Sequence, residues 1–482
     1  MKLESTSEHI NRNLLNIQYA VRGPIVARAA QIEKELIKGV KKPFDRVVRA
    51  NIGDCHALGQ APFTFIRQVQ ALVACPQFLS SPDIPDDVKA RARELLADCT
   101  KGSVGAYSPS QGLLVVRRRV AQYLSTRDGV PAYPEQIYLG SGASDLIKAV
   151  LTLFGGDVDG KPSAVMIPIP QYPVFSGTLS ELGIHQAHYY LDESHGWALM
   201  ADELERSWTQ ASKSSVVKAL VVINPGNPTG QVLTRENMEE IIKFAHRRRL
   251  FLLADEVYQE NIVSKPFLSF KKVMHEMGTP YSSMELASYI TASKGWAAEC
   301  GTRAGLVEIP RLTETARSAF EATRAVAQCP NLLGQCVLDC VMKPPAPGEP
   351  SYEQFARELA TVRRTLCERT ATAYQKLNAI PTFSCNPIDA SMFAFPRFTV
   401  SARAMAAARV HGVKPDEFYC LRLLEETGVC VVPGSGFGQA EGTLHFRTTI
   451  LHPREEFNYI MEQIANFHVR FLKEYEDERS EG

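Results

Sequence analysis

The chain has 482 residues, with 53 basic and 53 acidic side chains. Single hydrophobic cores stop growing at roughly 250–300 residues, so this length asks for at least two of them. The balanced charge offers no field to hold nucleic acid or an anionic membrane, which leaves small molecules as the expected partners.

The N-terminal MKLESTSEHINRN lacks the apolar segment of a secretory leader, and no apolar run along the chain reaches the roughly 18 residues of a membrane span. A helix is expected over residues 23–38, followed by the loop NIGDCHALGQ from Asn51. Between about 113 and 310, short β-branched runs alternate with amphipathic stretches, the pattern of an α/β sheet. The runs are 137–139, 164–169, 219–223, 250–254, 288–290 and 303–309, and Thr234 is placed to cap a helix over 234–248. The basic triplets 117–119 and 247–249 fall in helix-like segments and read as solvated faces. KPPAPGE at 343–349 cannot be helix interior and marks a boundary. Beyond it come a long helix over 352–377, strand-like runs at 391–395 and 444–451, and a closing helix over 455–472.

The expected division is therefore an N-terminal arm with part of a small domain (1–78), a large domain (79–342) and a C-terminal small domain (343–482). The 11 cysteines, from Cys55 to Cys430, show no ligand spacing, so reduced thiols and no metal are expected. The ending Ser480, Glu481, Gly482 is not a peroxisomal address, which leaves the cytoplasm.

Two glycine-rich segments imitate nucleotide loops. GGDVDGK at 155–161 has Pro162 where a hydroxyl should follow, with a strand in place of the phosphate-cradling helix. VVPGSGFG at 431–438 also leads into a strand.

Other residues gather at expected strand ends, where open α/β sheets bind ligands. Lys294 lies in TASKGW, and Arg303 begins the next strand. Asp255 ends a strand in ADEVYQ, with Tyr258 one helical turn later. Asn227 sits in NPGNPTG, Tyr172 between the prolines of PIPQYPVF, and SGASD presents the backbone amides of Gly142, Ala143 and Ser144 at the start of a helix. Taken singly these are a loop lysine, a surface ion pair, a helix cap and a packing aromatic. Together they are what pyridoxal phosphate needs: an amine for its aldehyde, an acid for its ring nitrogen, a ring stack and a phosphate clamp.

NPGNPTGQV, LLADEVYQ, ASKGW with AECGTR, GAYSPSQG, TGVCVVPGSGFG and HFRTTIL, in that company, resemble the fold-type-I, class I/II aminotransferases, and among them the alanine aminotransferase group, over about residues 19–467. The resemblance implies an α/β fold: a large domain with a mostly parallel mixed sheet flanked by helices, plus a smaller α+β domain. It implies that Lys294 holds the cofactor as a Schiff base and moves the substrate's α proton. Ala143, Ser144, Thr291 and Arg303 would take the phosphate, Asp255 the ring nitrogen, Asn227 and Tyr258 the ring oxygen, and Tyr172 the stacking role. Arg447 and Gly53, with Asn227, would hold the substrate and its α-carboxylate. Tyr107 would reach the phosphate of a second subunit, which implies a homodimer. The implied reaction is reversible amino transfer between L-alanine and 2-oxoglutarate; the same motifs admit a glyoxylate-using aminotransferase, or a lyase or synthase. Cys55, Trp296, Ala298, Thr302, Ala304 and Leu306 depart from the group's pattern and are expected to reshape the wall near the cofactor.

Overall fold

Strands buried on both faces read as unbroken apolar runs, because no position needs to face water. In the computed structural model, which describes residues 10–17 and 19–476, the six expected runs all form strands. The expectations drawn from the first nine residues and from Ser480, Glu481 and Gly482 lie outside the described residues. The strands join one seven-stranded sheet, in spatial order Ile137–Gly140, Gly305–Glu308, Leu286–Thr291, Phe251–Asp255, Val216–Ile223, Ser163–Ile169 and His185–Tyr190. Only Gly305–Glu308 runs antiparallel to its neighbours. Every residue of Ser163–Ile169, Phe251–Asp255 and Leu286–Thr291 is buried. The seventh strand, His185–Tyr190, went unrecognised because it forms the edge, where exposed and buried positions alternate in a polar run.

Helices cover both faces of this sheet. Ala143–Thr152, Val174–Leu182 and Glu314–Val326 pack on the face of Val165, Val221, Leu253 and Tyr289. Ala201–Ala211, Arg235–Arg248 and Phe270–Glu276 pack on the face of Met166, Leu220 and Leu252. That second face continues under Thr64–Ala74, Asp86–Asp98, Leu114–Asp128 and Leu332–Met342, which bury Leu139, Ile290 and Leu306. Thr234 caps its helix as expected, accepting the Asn237 amide at 3.2 Å.

A separate core joins the helix Pro24–Ile37 to the chain beyond residue 373. Here Leu444–Thr449 is the central strand of a small antiparallel sheet, between Phe393–Ala394 and Arg397–Phe398. The helix Tyr352–Asn378 leads into it after the non-helical KPPAPGE, and Arg454–Glu474 closes it. The result is the expected mixed-sheet α/β lobe with a smaller α+β lobe.

The structure corrects the reading of the basic triplet 117–119. Arg117 and Arg119 are buried: Arg117 donates to the carbonyls of Gly112 and Pro134, and Arg119 Nη1 meets both carboxylate oxygens of Asp339 at 2.6 Å. Arg91 contacts the same carboxylate at 3.2 Å, and Asp339 is 0 % exposed. Spacing along one helix cannot reveal a partner 220 residues away. Removing one member of a buried ion cluster leaves uncompensated charge, so Asp339→Asn is expected to lower stability by roughly 3–5 kcal/mol. The shift in urea unfolding against the wild-type chain measures it.

Candidate active site

The parallel strands register Ile223 beside Asp255 and Asp255 beside Tyr289, so their carboxyl ends share one edge of the sheet. The reversed strand enters from that edge, which returns Arg303 to it. After Thr291 the chain turns sharply. The Thr291 hydroxyl donates to the Ala304 carbonyl (2.9 Å) and accepts the Ser293 amide (3.2 Å), while Gly295 (φ +70°) donates its amide to Asn261 Oδ1 (2.8 Å). A glycine suits that left-handed backbone, and an added Cβ would lie 3.0 Å from Glu260. The turn sends Lys294 inward, where its ammonium donates to the Gly53 carbonyl at 3.3 Å and lies 5.6 Å from the Tyr258 ring centre. Burial alone would lower the Lys294 ammonium; Tyr258, Cys300, Tyr172 and Cys55 act against it and hold it above the ordinary lysine range.

Asp255 is 4 % exposed, and among the described residues its carboxylate accepts only a 3.3 Å contact from the Val257 amide. Burial pushes its carboxyl up to about 7, against the opposing pull of that amide and of Lys294. A carboxylate so placed gains most from a cation brought to it. Nearby, Asn227 Nδ2 donates to the Tyr258 hydroxyl at 3.3 Å. The loop holding Asn227 is tight: Asn224 Oδ1 accepts the Leu233 amide, and a Cβ on Gly226 would meet Gln231 at 1.9 Å.

Two guanidiniums face the same space without a carboxylate partner among the described residues. Arg303 donates to Ser293 Oγ (3.3 Å) and to the carbonyls of Cys300 (3.0 Å) and Ser141 (3.3 Å). It lies against the start of the helix Ala143–Thr152, whose cap residue Gly142, at a positive φ of +87°, supplies no side-chain acceptor. Free helix amides beside an unpaired guanidinium make an anion site. Arg447 is 2 % exposed and stands between the Phe393 and Phe437 rings at 3.7 and 4.7 Å. It donates to Asn227 Oδ1 (3.2 Å) and the Asn51 carbonyl (3.0 Å), while its Nε and Asn51 Oδ1 have no partner. Burial lowers it to about 10, which leaves it charged at neutral pH.

All of these groups line one cavity of about 1060 Å³. It gathers Gly53, Ala143, Ser144, Tyr172, Asn227, Asp255, Tyr258, Thr291, Lys294, Arg303 and Arg447, every site residue expected from the sequence except Tyr107. Tyr107 is 74 % exposed and stands outside this cavity. Sequence reasoning missed Tyr19, whose hydroxyl lies 2.5 Å from that of Tyr172, and also Arg22, Asn51, Ser293 and Phe393. Ser293, adjoining Lys294, was open to notice; Tyr19 and Arg22 arrive from a segment with no phosphate or amine motif. The six departures from the group's pattern, expected near the cofactor, do not line the cavity. Trp296 instead packs on Phe63 (4.6 Å) and Phe355 (5.2 Å), in the core that also holds Ala304 and Leu306.

Residues 76–464 match the model of the family described as aminotransferase class I and II. The chain is 50 % identical over 474 residues to alanine aminotransferase 1 of Homo sapiens, covering 98 % of this chain and 96 % of that one. It is 48 % identical to alanine aminotransferase 2-like of Danio rerio, over 98 % and 86 %. Among solved structures, alanine aminotransferase from Pyrococcus furiosus superposes with a TM-score of 0.74 at 22 % identity, covering 96 % of this chain and all of that one, a likeness of fold. The chain belongs to the class I and II aminotransferase family, enzymes whose cofactor is pyridoxal phosphate.

Proposed function

We propose that the protein is an alanine aminotransferase, moving the amino group reversibly between L-alanine and 2-oxoglutarate with pyruvate and L-glutamate as products. The observation that carries this reading is the cavity itself: a half-buried lysine and a buried acid between two guanidiniums that have no carboxylate partner among the described residues. Pyridoxal phosphate fits that donor set, with its phosphate toward Arg303 and the Ala143 and Ser144 amides, its ring nitrogen toward Asp255, and its ring oxygen toward Asn227 and Tyr258. When bound, it supplies an electron sink for negative charge at the substrate α-carbon. Asp255 would keep the ring nitrogen protonated and so maintain that sink.

Lys294 Nζ would hold the cofactor covalently and, when free, would carry the proton removed from the substrate α-carbon. Arg447, with its free Nε, grips the α-carboxylate, and Asn227 and the Gly53 backbone complete the grip. Gly53 has to remain glycine, since a Cβ would fall 2.3 Å from Phe393 Cζ. Tyr172, in the cavity wall, would stack on the ring, and Thr291 would support the phosphate. Arg22, exposed at the cavity rim and without an ion pair among the described residues, is placed for the distal carboxylate of the five-carbon acids. Relatives, among them a probable alanine aminotransferase, mitochondrial, of Dictyostelium discoideum at 42 % identity, carry this activity in their names.

The same reading assigns a homodimer in which Tyr107, exposed on one subunit, completes the phosphate site of the other, with the division 1–78, 79–342 and 343–482. The cytoplasm is its proposed compartment, supported by eleven unpaired cysteines. Among the described residues no helix is long and apolar enough to cross a membrane.

Adding L-alanine alone to the cofactor-loaded protein is expected to bleach its yellow absorbance and release pyruvate, and Lys294→Ala is expected to lose this response. A protein bleached by another amino acid but indifferent to alanine would move the substrate; comparing glyoxylate with 2-oxoglutarate as acceptor separates the glyoxylate-using reading.

Asp255 gives a pH signature. Its folded value of about 7 lies above the ordinary 3.8, so the folded cofactor-free chain holds a proton that the unfolded chain releases. Its contribution to stability therefore declines as pH rises from about 4 to 7 and is flat above that. Cofactor-free Asp255→Asn is expected to lack this decline, which the difference in unfolding midpoint between the two proteins at pH 5 and pH 8 reports. A difference unchanged with pH would contradict it.

A further inference from the structure

A second cavity, of about 560 Å³, opens beside the helix Tyr352–Asn378, between the loop that follows Gly53 and the small lobe. It shares no lining residue with the catalytic cavity. Its wall is apolar, built from Leu58, Phe63, Val362, Leu366, Met392 and Leu451. Two guanidiniums, Arg357 and Arg369, also line it, and neither has a side-chain hydrogen bond or ion pair among the described residues. The one carboxylate in the wall, Glu358, is already engaged by the Thr64 hydroxyl (2.7 Å) and amide (3.2 Å). Burial depresses the Arg369 guanidinium, against the weaker pull of Cys55 and Glu368, which marks it as a partly desolvated cation without an ion-pair partner among the described residues. Unpaired cations at the edge of an apolar hollow suit an anion that carries a hydrocarbon chain.

The floor of this cavity reaches the catalytic site. Cys55, Met392 and Leu451 belong to one buried cluster with Tyr258 and Phe393, and Cys55 Sγ lies 3.9 Å from Met392 Sδ. Phe393 is the ring against which Arg447 is stacked. Pressure on Met392 is therefore passed by direct packing to the partner of the buried guanidinium.

We propose that this cavity is a second, non-catalytic site for a medium-chain carboxylate, with its chain among Leu366, Met392 and Leu451 and its charge on Arg369 and Arg357. Occupancy is felt at Arg447 through Met392 and Phe393. The site takes its ligand whichever amino acid the enzyme prefers.

Octanoate is a suitable probe, titrated calorimetrically into the full-length, cofactor-loaded protein. One site per chain is expected, with Kd below about 1 mM. Arg369→Met is expected to weaken it by about tenfold or more, and Leu366→Trp, which fills the hollow, to do likewise. Both variants are expected to keep the absorbance of the bound cofactor and the wild-type melting temperature. Saturating 2-oxoglutarate is expected to change octanoate affinity by a limited factor that levels off. Displacement without limit would place octanoate on Arg447 and overturn the proposal, as would no binding at 10-fold above that Kd or an affinity indifferent to both variants.

Discussion

A buried guanidinium without a carboxylate is the constraint on which this structure turns. Taking a full charge out of water costs several kcal/mol unless something repays it. Arg447 recovers part of that cost from Asn227, the Asn51 carbonyl and two aromatic faces. The remainder is left for an anion from outside. The strand Leu444–Thr449, the loop at Asn51 and the loop at Asn227 come from three distant parts of the chain, and all three must be in place for the guanidinium to be held. The site therefore depends on how the two lobes meet, and a substrate carboxylate bound there joins residues from both.

The large sheet supplies the complementary half. Its parallel strands end together, and the single reversed strand brings Arg303 back to the edge that Asp255 and Thr291 already occupy. Asp255 is costly to bury alone, and it shares with Lys294 and Arg303 a cavity in which a cofactor bearing a cationic nitrogen, an aldehyde and an anion would meet all three. Gly53 is required by this crowding, since a Cβ there would meet the Phe393 ring, and Gly142 and Gly295 by their positive φ.

Much of this was legible in the sequence for physical reasons. Buried parallel strands leave unbroken apolar runs, and a functional lysine, acid or Asn-Pro loop falls just past such a run. Legibility failed where the cause was distant. His185–Tyr190 is polar because it is an edge strand, Arg119 is buried because Asp339 waits on another helix, and Tyr19 enters the site from the N-terminal segment. Sequence adjacency to Lys294 and Arg303 placed Trp296 and Leu306 beside the cofactor, yet Trp296 packs on Phe63 and Phe355, and strand alternation turns Leu306 to the same core.

The most direct test is a calorimetric titration of 2-oxoglutarate into cofactor-loaded wild-type protein and Arg447→Met, with absorbance used to show that both still carry the cofactor. If Arg447 is the buried seat of the α-carboxylate, the variant is expected to bind about 100-fold or more weakly, the loss of two charge-assisted hydrogen bonds. Equal affinity in the two proteins would contradict the account.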